Sequence, residues 1–95
     1  MFLGDILRQS RINLGISQKE MADSLGVTYS FLCKVEKNEK KISFEKLYHI
    51  AKLLNMDYTE LKMQFYCDKV INAFSGESDD FMKVTLNKLF KYYYV

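Results

Sequence analysis

The sequence predicts an all-α protein. Its 95 residues contain no proline and four scattered glycines. Strong helix formers dominate, and no period-two alternation runs long enough to support a sheet. Apolar residues make up 48% of the chain, enough for the core of one domain, or of a compact domain plus an accessory helix.

The first helix is expected over about residues 2–14, with Leu3, Leu7, Ser10 and Leu14 on one stripe and Gly15 as its end. Ser17 then opens a second helix as N-cap, and Glu20, three residues on, completes a capping box. Gly26 follows Leu25, where a helix leaves through a left-handed residue that glycine adopts cheaply. Thr28 caps a third helix over about 28–36. After the polar loop KNEKK, Ser43 caps a fourth, with stripe Phe44, Leu47, Ala51 and Leu54, and Asn55 is the expected left-handed terminator. Asp57 with Glu60 reads as a further capping box, starting a fifth helix that runs to about Phe74. Ser75-Gly76 breaks the chain, and a last helix begins near Ser78, its positive end matched by Asp79 and Asp80.

Residues 17–37, SQKEMADSLGVTYSFLCKVEK, carry the most information. Ala22 sits midway along the second helix, where a larger side chain would hold its neighbour away. Val27, Leu32 and Val35 supply the buried side of the third. Two short amphipathic helices joined by a tight glycine turn form a helix-turn-helix, whose second helix can be offered to a DNA major groove.

Charge is uneven along the chain. Residues 1–56 hold nine Lys/Arg against six Asp/Glu, whereas residues 57–95 hold five against six. Positive charge thickens at Lys34, Lys37, Lys40 and Lys41, beside the third helix, where phosphates would lie. An ordinary solvated lysine cluster has the same composition.

Other classes find little support. No apolar run reaches the roughly 20 residues of a membrane span, and MFLGDILRQS lacks the basic-then-apolar layout of a secretion signal. Cys33 and Cys67 read as free thiols of a cytoplasmic protein. Cys33 is either a partly exposed thiol without a role or a redox switch on DNA binding. One histidine, His49, expected on the outer face of the fourth helix, leaves no zinc site of ordinary ligand spacing. No nucleophile–histidine pair, glycine-rich phosphate loop or metal cluster suggests an enzyme. The expectation is therefore no catalytic residue, no metal and no cofactor.

The pattern SQKEMADSLGVTYSFLCKVEKNEKKISFEKLYHIAKLLNM resembles the Xre family, the helix-turn-helix class of lambdoid phage repressors and Cro proteins. The resemblance covers roughly residues 4–56. It implies an all-α, five-helix repressor-like (lambda repressor-like) domain with an additional C-terminal helix, and double-stranded DNA as partner. It also implies that Gln18, opening the second helix, contacts a phosphate with help from the helix amino terminus; Lys19 beside it is counted with the DNA-facing residues. Thr28, Tyr29 and Ser30 would face the DNA at the front of the third helix, with Lys34 one turn on. Thr28 caps its helix on any reading. Tyr29 could meet a thymine methyl, bond a phosphate or pack on Phe31, and Lys34 could pair with guanine or sit on a phosphate. Arg11 and Glu36 match a family ion pair that holds the first helix against the third.

Four positions depart from the family pattern. Asn38 stands for a glycine after the third helix, Ile42 for a proline before the fourth, and Ser10 for a large apolar residue. Phe31 occupies a commonly polar place, which points to an apolar contact on that surface. The tail MDYTELKMQFYCDKVINAF also resembles stand-alone regulators with one extra apolar helix, encoded beside methyltransferase or restriction genes.

The chain is thus divided at residue 56, into a helix-turn-helix core (1–56) and C-terminal helices (57–95) that complete it. Those last helices carry more apolar surface than a five-helix domain can hide. Either the final helix folds back, or Phe65, Phe74, Leu86, Leu89, Phe90 and Tyr93 meet a second subunit, the reading favoured here. The terminal KYYYV reads as helix-end packing or dimer contact. The leading function is a homodimeric transcriptional repressor reading palindromic half-sites. The alternative is an antitoxin-like interaction module whose apolar tail binds a partner protein.

Overall fold

Six helices make up the protein in the computed structural model, which describes residues 1–93: α1 Leu3–Asn13, α2 Gln18–Leu25, α3 Tyr29–Glu36, α4 Phe44–Leu53, α5 Tyr58–Ala73 and α6 Asp79–Tyr93. Tyr94 and Val95 of the terminal KYYYV lie outside the described residues.

The helix starts sit where short polar side chains can accept orphan amides. Ser17 Oγ accepts from the Glu20 amide at 3.0 Å, and Glu20 Oε1 accepts from the Ser17 amide at 3.3 Å. Thr28 Oγ1 accepts from Phe31 N at 3.0 Å, Ser43 Oγ from Lys46 N at 3.2 Å, and Ser78 Oγ from Phe81 N at 3.1 Å. Asp57 departs from the expected box with Glu60: its own Oδ1 accepts the Thr59 and Glu60 amides at 2.8 and 3.4 Å, so the cap runs through the aspartate. The exits after α2, α3 and α4 turn left-handed at Gly26 (φ 67°), Asn38 (φ 64°) and Asn55 (φ 53°). An asparagine in that region is tolerable because its short side chain can bond locally. Asn38 bonds at longer range instead, its Oδ1 accepting the Gly4 amide at 2.7 Å.

Leu7, Met21, Leu32, Leu47 and Ile50 are fully buried at the centre, each from a different turn of α1–α4. Ala22 is buried too, letting α2 lie close on its neighbours. α1 rests on α3 and α5, α2 on α3 and α4, and α4 on α5. Leu61 of α5 joins the same core, and Phe65 lays its ring edge-on to Phe44 at 5.0 Å. Ile42, which stands where the family has a proline, is itself buried, so a core side chain pins the loop.

One stripe needs correction. Leu14 is exposed rather than buried, because α1 ends at Asn13 and Leu14 already has non-helical dihedrals. The inward position after Leu3 and Leu7 belongs to Arg11, which is buried.

Three long-range joints hold the helices in place. Asp68 of α5 accepts the Leu3 amide at 2.8 Å and so caps α1 from 65 residues away. Lys46 Nζ donates to the Leu25 carbonyl at 3.0 Å, satisfying the end of α2. Gly4 is buried where α1 meets the end of α3; a Cβ there would run into the Val35 and Glu36 carbonyls and Asn38 Oδ1.

α6 is the exception to this packing. None of its described residues is buried. It meets the rest of the chain at its first turn, where the Phe81 ring lies 6.3 Å from that of Phe74.

Candidate nucleic-acid interface

α3 has two faces of opposite character. Leu32, Val35 and Glu36 point inward, and Phe31 is half-buried against the core. Phe31 therefore supplies its apolar surface to the interior. The other face presents Tyr29, Ser30 and Lys34, all exposed, at the front of the helix and one turn on. Thr28 is exposed at the cap.

The depth of this helix in the domain is set by a buried ion pair. Arg11 Nε donates to Glu36 Oε2 at 2.7 Å and Arg11 Nη2 to Glu36 Oε1 at 3.0 Å, a fork-to-fork pair linking α1 to the last turn of α3. Arg11 Nη1 adds a bond to the Ile16 carbonyl at 2.8 Å. Hydrogen bonding to Glu36 raises the guanidinium pKa above its ordinary value, against the opposing effect of burial. The charge is fixed in either case.

The same carboxylate reaches α2. Gln18 Nε2 donates to Glu36 Oε1 at 2.9 Å, and Gln18 Oε1 accepts from the Cys33 thiol at 3.6 Å. An amide nitrogen has two hydrogens. One is held by Glu36, so the plane of the amide is set and the second is left to project from the start of α2. The neighbouring Cys33 thiol is the main cause that raises the Tyr29 phenol above its usual pKa. The half-buried thiol thus helps to hold the Gln18 amide, a contact its sequence position did not disclose.

The basic residues are spread around this face. Lys19 is exposed beside Gln18 at the start of α2, and Lys37, Lys40 and Lys41 are exposed beyond the end of α3. The loop there wraps back, the Glu39 and Lys40 amides bonding the Lys34 carbonyl at 2.8 and 3.3 Å. Lys40 and Lys41 border a shallow cleft shared with Asp68, Lys69 and Asn72, so they flank the α5 side, at the opposite end of α3 from Tyr29 and Ser30.

The residues expected at a subunit interface divide. Phe65 is half-buried within the chain, between α4 and the core. Phe74 is half-buried at the α5–α6 turn and Leu86 half-buried on α6. Leu89, Phe90 and Tyr93 are exposed, at 44%, 68% and 77%. His49 is exposed on α4. Among the described residues no helix is long and apolar enough to cross a membrane.

Known proteins are similar to this chain in sequence and in fold. An uncharacterized HTH-type transcriptional regulator of Sinorhizobium medicae is 33% identical over 54 residues, which are 57% of this chain and 39% of that protein. The chain thus spans about two-fifths of the length of the curated relatives it matches first. The ImmF control region 10 kDa protein of Bacillus phage phi105 is 34% identical over 61 residues, 64% of this chain and 68% of its own. Among solved structures, the biofilm regulator SinR in complex with DNA superposes with a TM-score of 0.58 at 28% identity, over 63% of this chain and 97% of its own. The restriction-modification controller protein C.AhdI of Aeromonas hydrophila does so at 0.57 and 29%, over 62% and 89%. A SinR/SinI complex chain, 24% identical, extends the likeness of fold to 92% of this chain and 93% of its own, with a TM-score of 0.58. The helix-turn-helix domain model matches residues 4–66. The match takes in α1 from its second residue, α2–α4 and the first half of α5, and by it the chain belongs to the helix-turn-helix domain family.

Proposed function

We propose that this chain is a sequence-specific regulator of transcription, a homodimeric repressor that reads palindromic half-sites of double-stranded DNA through the major groove. The observation that carries this reading is the exposed Tyr29–Ser30–Lys34 face of α3, held at fixed depth by the Arg11–Glu36 pair. A helix offered to a groove must be both free on its outer side and rigid on its inner one. The DNA-bound SinR structure, alike in fold and 28% identical, adds support.

In this reading Gln18, Lys19, Thr28, Lys37, Lys40 and Lys41 engage phosphates and set register, while Tyr29, Ser30 and Lys34 face base edges. Residues 1–56 supply the reading surface, and residues 57–95 complete the core and join the two subunits. Two subunits give half-sites about one helical turn apart.

Salt dependence tests the phosphate part. Binding to a random-sequence duplex, followed by anisotropy from low to moderate salt, is expected to weaken steeply. Each neutralised phosphate adds about −0.9 to the log–log slope. Replacing Lys37, Lys40 and Lys41 together with alanine is expected to flatten that slope by about 2 to 3. A slope near zero for the native chain, or one unmoved by the triple change, is the contrary result.

A further inference from the structure

The basic residues beyond α3 do not stop at the loop. Lys40 and Lys41 border a cleft that Lys69 of α5 borders as well. Lys69 also lines an adjoining groove with Ile42, Ser43 and Phe44. Its ammonium lies 4.9 Å from the centre of the Phe65 ring, which itself meets Phe44 edge-on. About two turns earlier on α5, Lys62 lies over Phe44 at 5.8 Å and over Tyr58 at 5.0 Å. Four lysines thus run in a line from the α3–α4 loop along the edge where α4 and α5 meet.

This line keeps its charge for something outside the chain. Among the described residues, no carboxylate is ion-paired with Lys40, Lys41, Lys62 or Lys69. Asp68 is the one acid among the described residues lining the cleft. Its two oxygens are taken by the Leu3 amide and by Gln64 Nε2, each at 2.8 Å. A lysine lying over a ring has its stem braced and still holds N–H donors for an anion. Less side-chain freedom is then lost when the anion arrives.

The place where the line begins says what that anion is. α3 has eight residues, so it is about 12 Å long, against a major groove about 8.5 Å deep and 12 Å wide. With Tyr29 and Ser30 on base edges, its far end comes out at the phosphate wall of the groove. Lys40 and Lys41 stand there, and Lys69 and Lys62 continue from them. That continuity favours the DNA backbone over an acidic protein. We infer that Lys69 and Lys62 of α5 extend the phosphate contacts of Lys40 and Lys41, so that the α4–α5 edge tracks one DNA strand beyond the bases that α3 reads. The inference rests on the DNA reading above and adds α5 to its surface.

Salt dependence of the full chain on a random-sequence duplex tests it. Lys62→Gln with Lys69→Gln is expected to flatten the log–log slope by about 1 to 2 and to weaken binding about tenfold or more near 0.1 M salt. Lys62→Arg with Lys69→Arg keeps both charges and is expected to bind like the native chain. Lys83→Gln with Lys88→Gln removes the same charge from α6 and is expected to leave the slope unchanged. Circular dichroism of each variant checks its helix content. A steep native slope that the α5 glutamine pair leaves unmoved overturns the α5 track and leaves these lysines to an acidic protein, while the DNA reading stands. An α6 pair that flattens the slope as much, or an arginine pair that binds as weakly as the glutamine pair, overturns the track as well. A native slope near zero overturns the DNA reading itself, and the track with it.

Discussion

Replacing Glu36 with alanine is expected to cost about 3–5 kcal/mol of folding stability, because it strands a buried guanidinium. Arg11 is 7% exposed and spends two of its donors on that carboxylate. Without the anion, two donors of a buried guanidinium lose their partner, and the charge cannot be shed because arginine does not deprotonate in proteins. The same change releases Gln18 Nε2, so the head of α2 loosens with the end of α3. The double change Arg11→Met with Glu36→Leu removes both charges and is expected to recover most of the loss. Urea denaturation of the three chains measures this directly. A single-variant loss under about 1 kcal/mol would mean the pair is far more hydrated than its geometry implies. DNA affinity separates the two roles: the apolar double variant folds but no longer orients Gln18, so its binding stays weakened.

Gly4→Ala is the second large effect, and its sign is the opposite of the usual rule. Alanine in place of glycine inside a helix normally stabilises by about 1 kcal/mol. Here the added methyl meets the Val35 carbonyl, the Glu36 carbonyl at 2.8 Å and Asn38 Oδ1 at 2.5 Å. The first two belong to the end of α3 and cannot rotate away as a side chain could. α1 must back off, losing the Gly4–Asn38 bond and pulling on the Arg11–Glu36 pair. A net loss of about 3 kcal/mol, the upper part of the overpacking range, is expected. Thermal unfolding that rises on this substitution would show that α1 and α3 are not in such close register.

These two sites mark where sequence reading stops. The α2–turn–α3 unit was legible because its signals are local: Ser17 with Glu20, Gly26 after Leu25, Thr28 three residues before the amide it caps. The choice of Tyr29, Ser30 and Lys34 as its outward face came from the family resemblance, and all three are exposed. Gly4 was not legible, since its importance lies in the approach of residues more than thirty positions on. Asp68 capping α1 and Lys46 closing α2 are hidden for the same reason. Leu14 misled because a helical stripe extrapolates past the point where the backbone turns. Phe31 misled by position: it occupies a commonly polar place on α3, yet its ring packs against the core. Cys33 carries no local signal at all, and its contact with Gln18 depends on how α2 and α3 cross.

The division of labour between the two parts of the chain follows from burial. α1 to α4 and the first half of α5 share one core, whereas α6 buries none of its described residues. Under the proposed reading, a rigid core carrying α3 and a separate last helix would suit a dimer that presents two identical surfaces.

The central claim is that α3 reads a two-fold DNA sequence, and selection of binding sites from random duplex DNA tests it most directly. The expected product is a palindrome whose half-sites lie about one helical turn apart, and Ser30→Ala or Lys34→Ala would relax preference at particular positions within each half. Recovery of no motif, or of an asymmetric one that ignores changes on α3, would contradict it.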